Sequence, residues 1–259
     1  NRFVGQKVSI VSARAQTTRN RVMGVLTKPE YQIVFLDTPG VTTPKNRLGE
    51  YMLKIAYDSL NEVEAVLFLT DAEKGIREKD EALLKKLASA KAPVIAAINK
   101  IDAAKPEIVA EMRKKLAALP YISQMADISA ETGEGVDSLE ALLRTHLEEG
   151  PKYFPDDMVT DQPERVICAE LIREKALMLL KEEVPHGIGV GVDKMFLRED
   201  KPICDVWATI YCEREGHKGI IIGKGGAMLK KISSMARADC EKFMGTKVFL
   251  TTWVKVKEN

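Results

Sequence analysis

The residues Ile33-Val34-Phe35-Leu36-Asp37-Thr38-Pro39-Gly40 decide how the first half of this chain is read. Four apolar residues make a short buried strand, an Asp stands at its carboxyl end, and a turn follows that closes on Gly. In an open parallel sheet, ligands lie beyond the carboxyl ends of the strands. An Asp there can hold a Mg²⁺, directly or through water, and a Gly N–H a few residues on can meet a phosphate oxygen. The same residues read equally well as an acidic turn ahead of a helix, so the neighbouring segments have to decide.

Upstream, Arg21 to Thr27 is a candidate strand, and Lys28-Pro29-Glu30 turns it back into Ile33–Leu36 as an antiparallel hairpin. Before it, Asn1 to Gly5 resembles the tail of a helix with a C-cap glycine, Ser9 to Ser12 is β-like, and Gln16 to Asn20 is polar. Downstream, Val41 to Arg47 is a polar loop, and Gly49 to Asn61 carries Met52, Ile55, Ala56 and Leu60 at helical spacing. Apolar runs at 65–69, 94–98 and, more weakly, 126–128 alternate with amphipathic segments near 78–89, 106–118 and 136–147. Continuous apolar strands alternating with helices predict an α/β unit, a parallel sheet with helices on both faces.

At 259 residues the chain has room for two domains. Hydrophobic content of 45% and charged content of 30% are those of an ordinary globular protein, and a net charge of +1 requires any nucleic-acid surface to be a local patch. Cys168, Cys204, Cys212 and Cys240 form no C-x-x-C pair, which predicts reduced core thiols of a cytosolic protein. No apolar run approaches membrane-spanning length or has the form of a signal peptide.

Residues 150–163 hold three prolines and little periodicity, and read as a linker between a first domain, 1–149, and a second, 164–259. The second reads helix, strand, strand, helix, helix, strand, an α+β order. Trp207 and Trp253 have the parity opposite the apolar faces of their strands; packing under a helix is the expectation, stacking on bases the alternative.

Two loops carry further chemistry. Asn99-Lys100-Ile101-Asp102 follows directly on the strand 94–98. A carboxylate there can accept two hydrogen bonds from guanine N1 and N2. Adenine offers no donors at those edges, so a buried Asp would reject it. Asn99 can meet the other edge of the base and the Lys100 stem can lie over the ring. Ser129-Ala130, at the end of the next strand, would let a backbone N–H approach the guanine oxygen.

The second loop is Ile222-Gly223-Lys224-Gly225-Gly226, a Gly-x-x-Gly between helices, which lets backbone approach a nucleic-acid strand. A dinucleotide fingerprint fails, because its third glycine would fall at Met228 and no strand precedes it; a plain helix–helix turn stays open. From Arg214 to Lys247 there are eight basic side chains, among them Lys218, Lys230 and Lys231, against three acidic ones, a local patch suited to phosphates.

Taken in order, Asp37-Thr38-Pro39-Gly40, Asn99-Lys100-Ile101-Asp102 and Ser129-Ala130 resemble the third, fourth and fifth motifs of a P-loop GTPase, and Gln16-Thr17-Thr18-Arg19 resembles the second. The last unit resembles a type II KH domain. Together with Val8–Ser12, Tyr153–Asp157 and Ile172-Arg173-Glu174-Lys175, the whole is similar to the Era family of ribosome-assembly GTPases.

The resemblance implies GTP or GDP with Mg²⁺ as cofactors, with Thr17, Thr18, Val41 and the three motifs at the nucleotide and Thr18 and Asp37 at the metal. It implies binding of the 3′ end of small-subunit (16S) ribosomal RNA through 222–226 and its lysines, and a role in 30S subunit maturation. A monomer in the cytoplasm is implied, with peripheral association at the inner face of the plasma membrane carried by the family alone. Two departures stand out. No Gly-x-x-x-x-Gly-Lys-[Ser/Thr] occurs; in the family that loop lies just before the point where this sequence starts, so a longer protein is expected and these residues alone should bind GTP poorly. Val41 stands where other GTPases have a Gln that orients water, so no catalytic residue is nominated. The alternatives are a constitutive KH RNA-binding assembly factor with a vestigial nucleotide site, and a peripheral membrane or cell-cycle adaptor.

Overall fold

The computed structural model describes residues 1–257 apart from 13, 15, 16, 42, 43, 45 and 46. Gln16 of the second motif and most of the loop after Val41 therefore lie outside the described residues. The chain forms two compact units, one of residues 1–5 and 18–160, the other of 6–17 and 161 onward.

In the first unit, β1 (Val22–Thr27) and β2 (Gln32–Asp37) pair antiparallel, with Val25 opposite Val34, and Lys28 N–H donates to Tyr31 O to close the turn (2.9 Å). There follow α1 (Arg47–Ser59), β3 (Val66–Asp71), α2 (Glu78–Leu87), β4 (Val94–Asn99), α3 (Pro106–Ala117), β5 (Ile122–Ile128) and α4 (Val136–Arg144). Strands β3, β4 and β5 are parallel with β4 in the centre. The sequence of β4 is apolar on both faces, as a strand covered on both sides must be. Val94, Ala96 and Ile98 pack with Leu84 and Leu87 of α2 and with Met112 and Leu116 of α3. Ile95 and Ala97 pack with Leu139 and Leu143 of α4 and with Leu26 and Ile33 of the hairpin. Ile95 and Ile98 are fully buried, each contributing on the order of 1.5–3 kcal/mol. The hairpin and the parallel sheet are separate sheets among the described residues; the hairpin joins the unit through side chains, not through a ladder.

The stretch read as a linker is largely packed structure. Val25 N–H donates to Val159 O (2.9 Å), Thr160 Oγ1 donates to Met23 O (2.6 Å), and the Gln32 side chain accepts from the N–H groups of Tyr153 and Phe154 (3.0 Å each). Prolines and weak periodicity removed the sequence signal, while strand edges supplied the hydrogen-bond partners.

The second unit contains α5 (Glu164–Leu179), a 3₁₀ turn at Val184–Gly187, β6 (Gly189–Leu197), β7 (Ile203–Cys212), α6 (Glu215–Ile222), a 3₁₀ turn at Lys224–Gly226, α7 (Ala227–Met244) and β8 (Lys247–Val256). β7 pairs antiparallel with β6 and parallel with β8. Alternate residues of β7, including Val206, Ala208 and Ile210, are buried against Ile172 and Leu171 of α5 and Ile232 and Ala236 of α7. All four cysteines are buried and free, and Cys204 and Cys212 share the inner face of β7 as the alternation predicts.

Residues 6–17 differ from the sequence boundaries, which put them in the first domain. Ser9–Ser12 forms no strand. Ile10 is buried with Ile167, Leu171 and Cys240, and Lys7 donates to Glu174 (2.7 Å) and Asp239 (2.9 Å). Glu174 also accepts from Val11 N–H (3.0 Å) and from buried Lys175 (3.0 Å). Arg14 donates to the carbonyls of Leu177 and Leu180, freed at the end of α5. A β-like run of four residues cannot distinguish a strand from an extended segment tied down by side chains.

Candidate nucleotide site and nucleic-acid interface

The carboxyl ends of β2, β4 and β5 carry the three motifs. Asn99 closes β4, and its side-chain oxygen accepts a hydrogen bond from Ala130 N–H at 2.9 Å. The fourth and fifth motifs are thus one construction. Ser129 is fully buried; its N–H donates to Glu134 O (2.9 Å) and its hydroxyl accepts from Thr132 N–H (3.1 Å). The loop then enters α4 through Gly135, whose φ is +70°; a Cβ there would stand 2.1 Å from Asp127 O, so glycine is required.

Lys100 has a left-handed backbone, φ 65°. Its ammonium donates to Asp71 (2.7 Å) and Glu73 (3.3 Å) at the end of β3. Burial alone would raise the Asp71 carboxyl, but hydrogen bonds from Lys100 and Lys74 outweigh it and hold Asp71 below the usual range. The hydrogen bond to Asp71 pushes Lys100 up, against partial burial. Asp71 and Glu73 were not singled out from sequence; the signal available was an Asp closing a strand parallel to Val94–Asn99. Asp102 stands exposed in the 3₁₀ turn Ile101–Ala103, not buried, and no ion pair engages it among the described residues. Its carboxylate is open to a ligand's donors.

Asp37 is exposed at the end of β2, Pro39 is buried, and Gly40 is exposed with no atom near the position of a Cβ. Thr38 and Val41 are half-buried. Thr17 Oγ1 donates to Arg14 O (2.8 Å), and Arg173 donates to Thr17 O. Thr17 therefore belongs to the second unit and Thr18 to the first. No group of three or more His, Cys, Asp or Glu side chains is gathered to hold a metal among the described residues. The Asp37 carboxylate and a threonine hydroxyl are hard oxygen donors suited to Mg²⁺, an ion that keeps several waters and needs few protein ligands.

In the second unit, Gly223, Gly225 and Gly226 all have positive φ (73°, 58° and 78°). α6 ends at Ile222, and α7 begins at Ala227. Gly223, with ψ 172°, occupies a region nearly confined to glycine, and a Cβ would lie 2.7 Å from that of Met228. Gly225 and Gly226 have nothing near a Cβ, so their half of the loop is open backbone. Lys224 stands exposed within it, Lys230 follows in the first turn of α7, and Lys218 pairs loosely with Glu215 (3.6 Å). Among the described residues no helix covers Trp207 and Trp253: their rings meet edge to face at 6.0 Å on the side of the sheet away from the core, and Trp253 is exposed. Alternation placed them outside correctly; the cover was the error.

Residues 183–259 match the KH domain family, and residues 1–100 match the family described as 50S ribosome-binding GTPase. The chain is 49% identical over 260 residues to GTPase Era of Clostridioides difficile, covering 100% of this chain and 88% of that protein. It resembles the crystal structure of a point variant of Aquifex aeolicus Era bound to GDP·AlF4⁻, with TM-score 0.94 and 40% identity over 100% of this chain and 88% of that one. It is similar also to Era in complex with MgGDPNP and nucleotides 1506–1542 of 16S ribosomal RNA, with TM-score 0.93, 40% identity and the same coverage.

Proposed function

Since the chain belongs to the Era family of GTPases, we propose that it is a Mg²⁺- and GTP-dependent switch that binds the 3′ end of small-subunit ribosomal RNA and acts in 30S subunit maturation. The observation that supports this reading is the Asn99–Ala130 hydrogen bond, which joins the two motif loops beside the open Asp102 carboxylate. Asp102 would accept from N1 and N2 of guanine, the Lys100 stem would cover the ring, and Ala130 N–H, which donates to Asn99 here, would exchange or share that acceptor with the guanine oxygen. Thr18 and Asp37 would hold Mg²⁺, which neutralises phosphate charge when bound. Thr38 and Pro39 would position the turn, and Gly40 N–H would meet the terminal phosphate.

Val41 places no hydrogen-bonding side chain near an attacking water, so hydrolysis depends on groups other than this side chain. The 259 residues contain no Gly-x-x-x-x-Gly-Lys-[Ser/Thr], and they are proposed to hold GTP weakly by themselves. RNA would run along Ile222–Gly226, its phosphates near Lys218, Lys224, Lys230 and Lys231.

Coupling between the two activities is proposed to pass through the 17–18 peptide bond. Ordering Thr18 at a nucleotide constrains a segment that Glu174, Leu177 and Leu180 hold on the KH unit. The test is separation of function in the natural protein that carries these residues. Lys224→Asp with Gly225→Asp should cut the affinity for a 16S 3′-end RNA while GTP hydrolysis without RNA persists. Undiminished RNA binding would remove the loop from the interface.

A further inference from the structure

On β7 and β8 residues of one parity face the helices and residues of the other face away, while on β6 the parity changes at a bulge between Val192 and Lys194, so that Val190, Val192 and Met195 face the helices and Lys194 and Phe196 face away. The outward set is aromatic. Phe196, Phe249 and Trp253 are 48%, 54% and 43% exposed. Trp207 stands among them, edge to face with Phe196 (6.5 Å) and Trp253 (6.0 Å).

The same face is cationic. Lys194 Nζ lies 4.9 Å from the centre of the Trp207 ring, and the Arg198 guanidinium lies 5.2 Å from that of Phe249. Lys247 and Lys255 alternate with Phe249 and Trp253 along β8, exposed and without an ion pair among the described residues. Its acids are already engaged. Asp205 is buried and ion-paired with Arg198, and Asp193 accepts the Thr209 hydroxyl at 2.6 Å.

Charge decides the occupant. A flat apolar partner would bury unpaired lysines at a desolvation cost that aromatic contact would have to offset. A polyanion with planar groups satisfies both halves of the surface: bases stack on the rings while phosphates meet the lysines. We propose that the open face of the β6–β7–β8 sheet, centred on Trp253 and Phe196 and rimmed by Lys194, Lys247 and Lys255, is a second single-stranded RNA surface. It is distinct from the Gly223–Gly226 loop, which joins helices packed on the opposite side. The inference extends the reading of this unit as an RNA binder, yet the two surfaces fail separately.

Trp207 and Trp253 are the two tryptophans of the 259 residues, so their emission reports on this face alone. The 259-residue chain is titrated with oligouridylate of about 10 nucleotides, within the usual reach of such surfaces, following tryptophan emission and, in parallel, anisotropy of labelled RNA. Saturable, salt-sensitive quenching is expected, and it should persist in the Lys224→Asp/Gly225→Asp variant. Lys194→Glu/Lys255→Glu, which leaves every ring in place, should weaken the quenching-detected affinity by about tenfold at unchanged melting temperature. RNA binding by anisotropy without quenching would overturn the second surface while leaving the loop reading intact. Quenching lost with the loop variant would overturn it equally. Concentration-dependent self-association without quenching would assign the face to a second copy and overturn it. Oligouridylate binding by neither signal would overturn the second surface, and the loop reading is decided separately by the 16S 3′-end RNA.

Discussion

The side-chain oxygen of Asn99 accepts the backbone N–H of Ala130 at 2.9 Å, across from one parallel strand end to the next. The loop proposed to face the base is thereby fixed before any ligand arrives. Asn99→Ala would leave that N–H without its partner and free the Ser129–Glu134 turn. A stability loss of about 1–2 kcal/mol is expected, together with weaker guanine-nucleotide binding. Urea denaturation and nucleotide titration of the same variant check both.

Lys100 and Asp71 make a second such brace. Asp71 has its carboxyl held down in the folded state, so its contribution is complete above the ordinary carboxylate value of about 3.9 and is lost as pH falls through the lower folded value. Lys100 is raised, so its contribution is complete below about 10.4 and is lost as pH rises through the higher folded value. The pair is intact across the neutral range. Because Lys100 is nearly half exposed, Asp71→Asn should cost no more than about 1 kcal/mol. The difference from wild type should disappear in acid, measured as stability against pH.

Glu174 is buried at the centre of a charged cluster with Lys7, Lys175 and Asp239. Glu174→Ala would strand the buried Lys175 with fewer partners and remove the acceptor for Val11 N–H. Removal of one member of a buried pair typically costs about 3–5 kcal/mol. The 6–17 segment should then exchange its amide hydrogens faster while the core of β7 keeps its protection, as read by hydrogen exchange.

Gly223→Ala would force a Cβ into a backbone region nearly confined to glycine and against Met228. A loss of about 1–3 kcal/mol is expected. Gly226→Asn, at a position with open space and a φ that Asn tolerates, should be nearly neutral in stability. Thermal melts of the two variants distinguish a strained hinge from a merely flexible one.

Local chemistry made much of this legible in sequence. The run Val94–Ile98 admits few environments besides the middle of a covered parallel sheet, and the strand ends then place Asn99 and Ser129 without further input, whereas Asp37 ends a half-buried strand of the separate hairpin, which that run does not place. The Gly223–Gly226 loop was legible because three positive φ angles so close together need glycine. Long-range ties were not legible. Nothing near Lys7 announces a partner at Glu174, and nothing near Gln32 announces the backbone of Tyr153 and Phe154. Side-chain brackets of this kind have no period. Asp71 could be read as a strand terminus but not as the anchor of Lys100, because that pairing depends on which strands are neighbours. The outward tryptophans show the same limit: alternation fixes the side of a sheet, not what covers it.

The central claim is that nucleotide state and RNA affinity are linked. It is tested most directly by the dissociation constant of a 16S 3′-end RNA for the natural protein that carries this chain, measured with Mg²⁺ and GDP and again with Mg²⁺ and a non-hydrolysable GTP analogue. A difference of roughly 5–150-fold, the usual range of coupling between sites, is expected, and Glu174→Ala should shrink it. Equal affinities in the two nucleotide states would contradict the switch and favour a constitutive RNA-binding assembly factor.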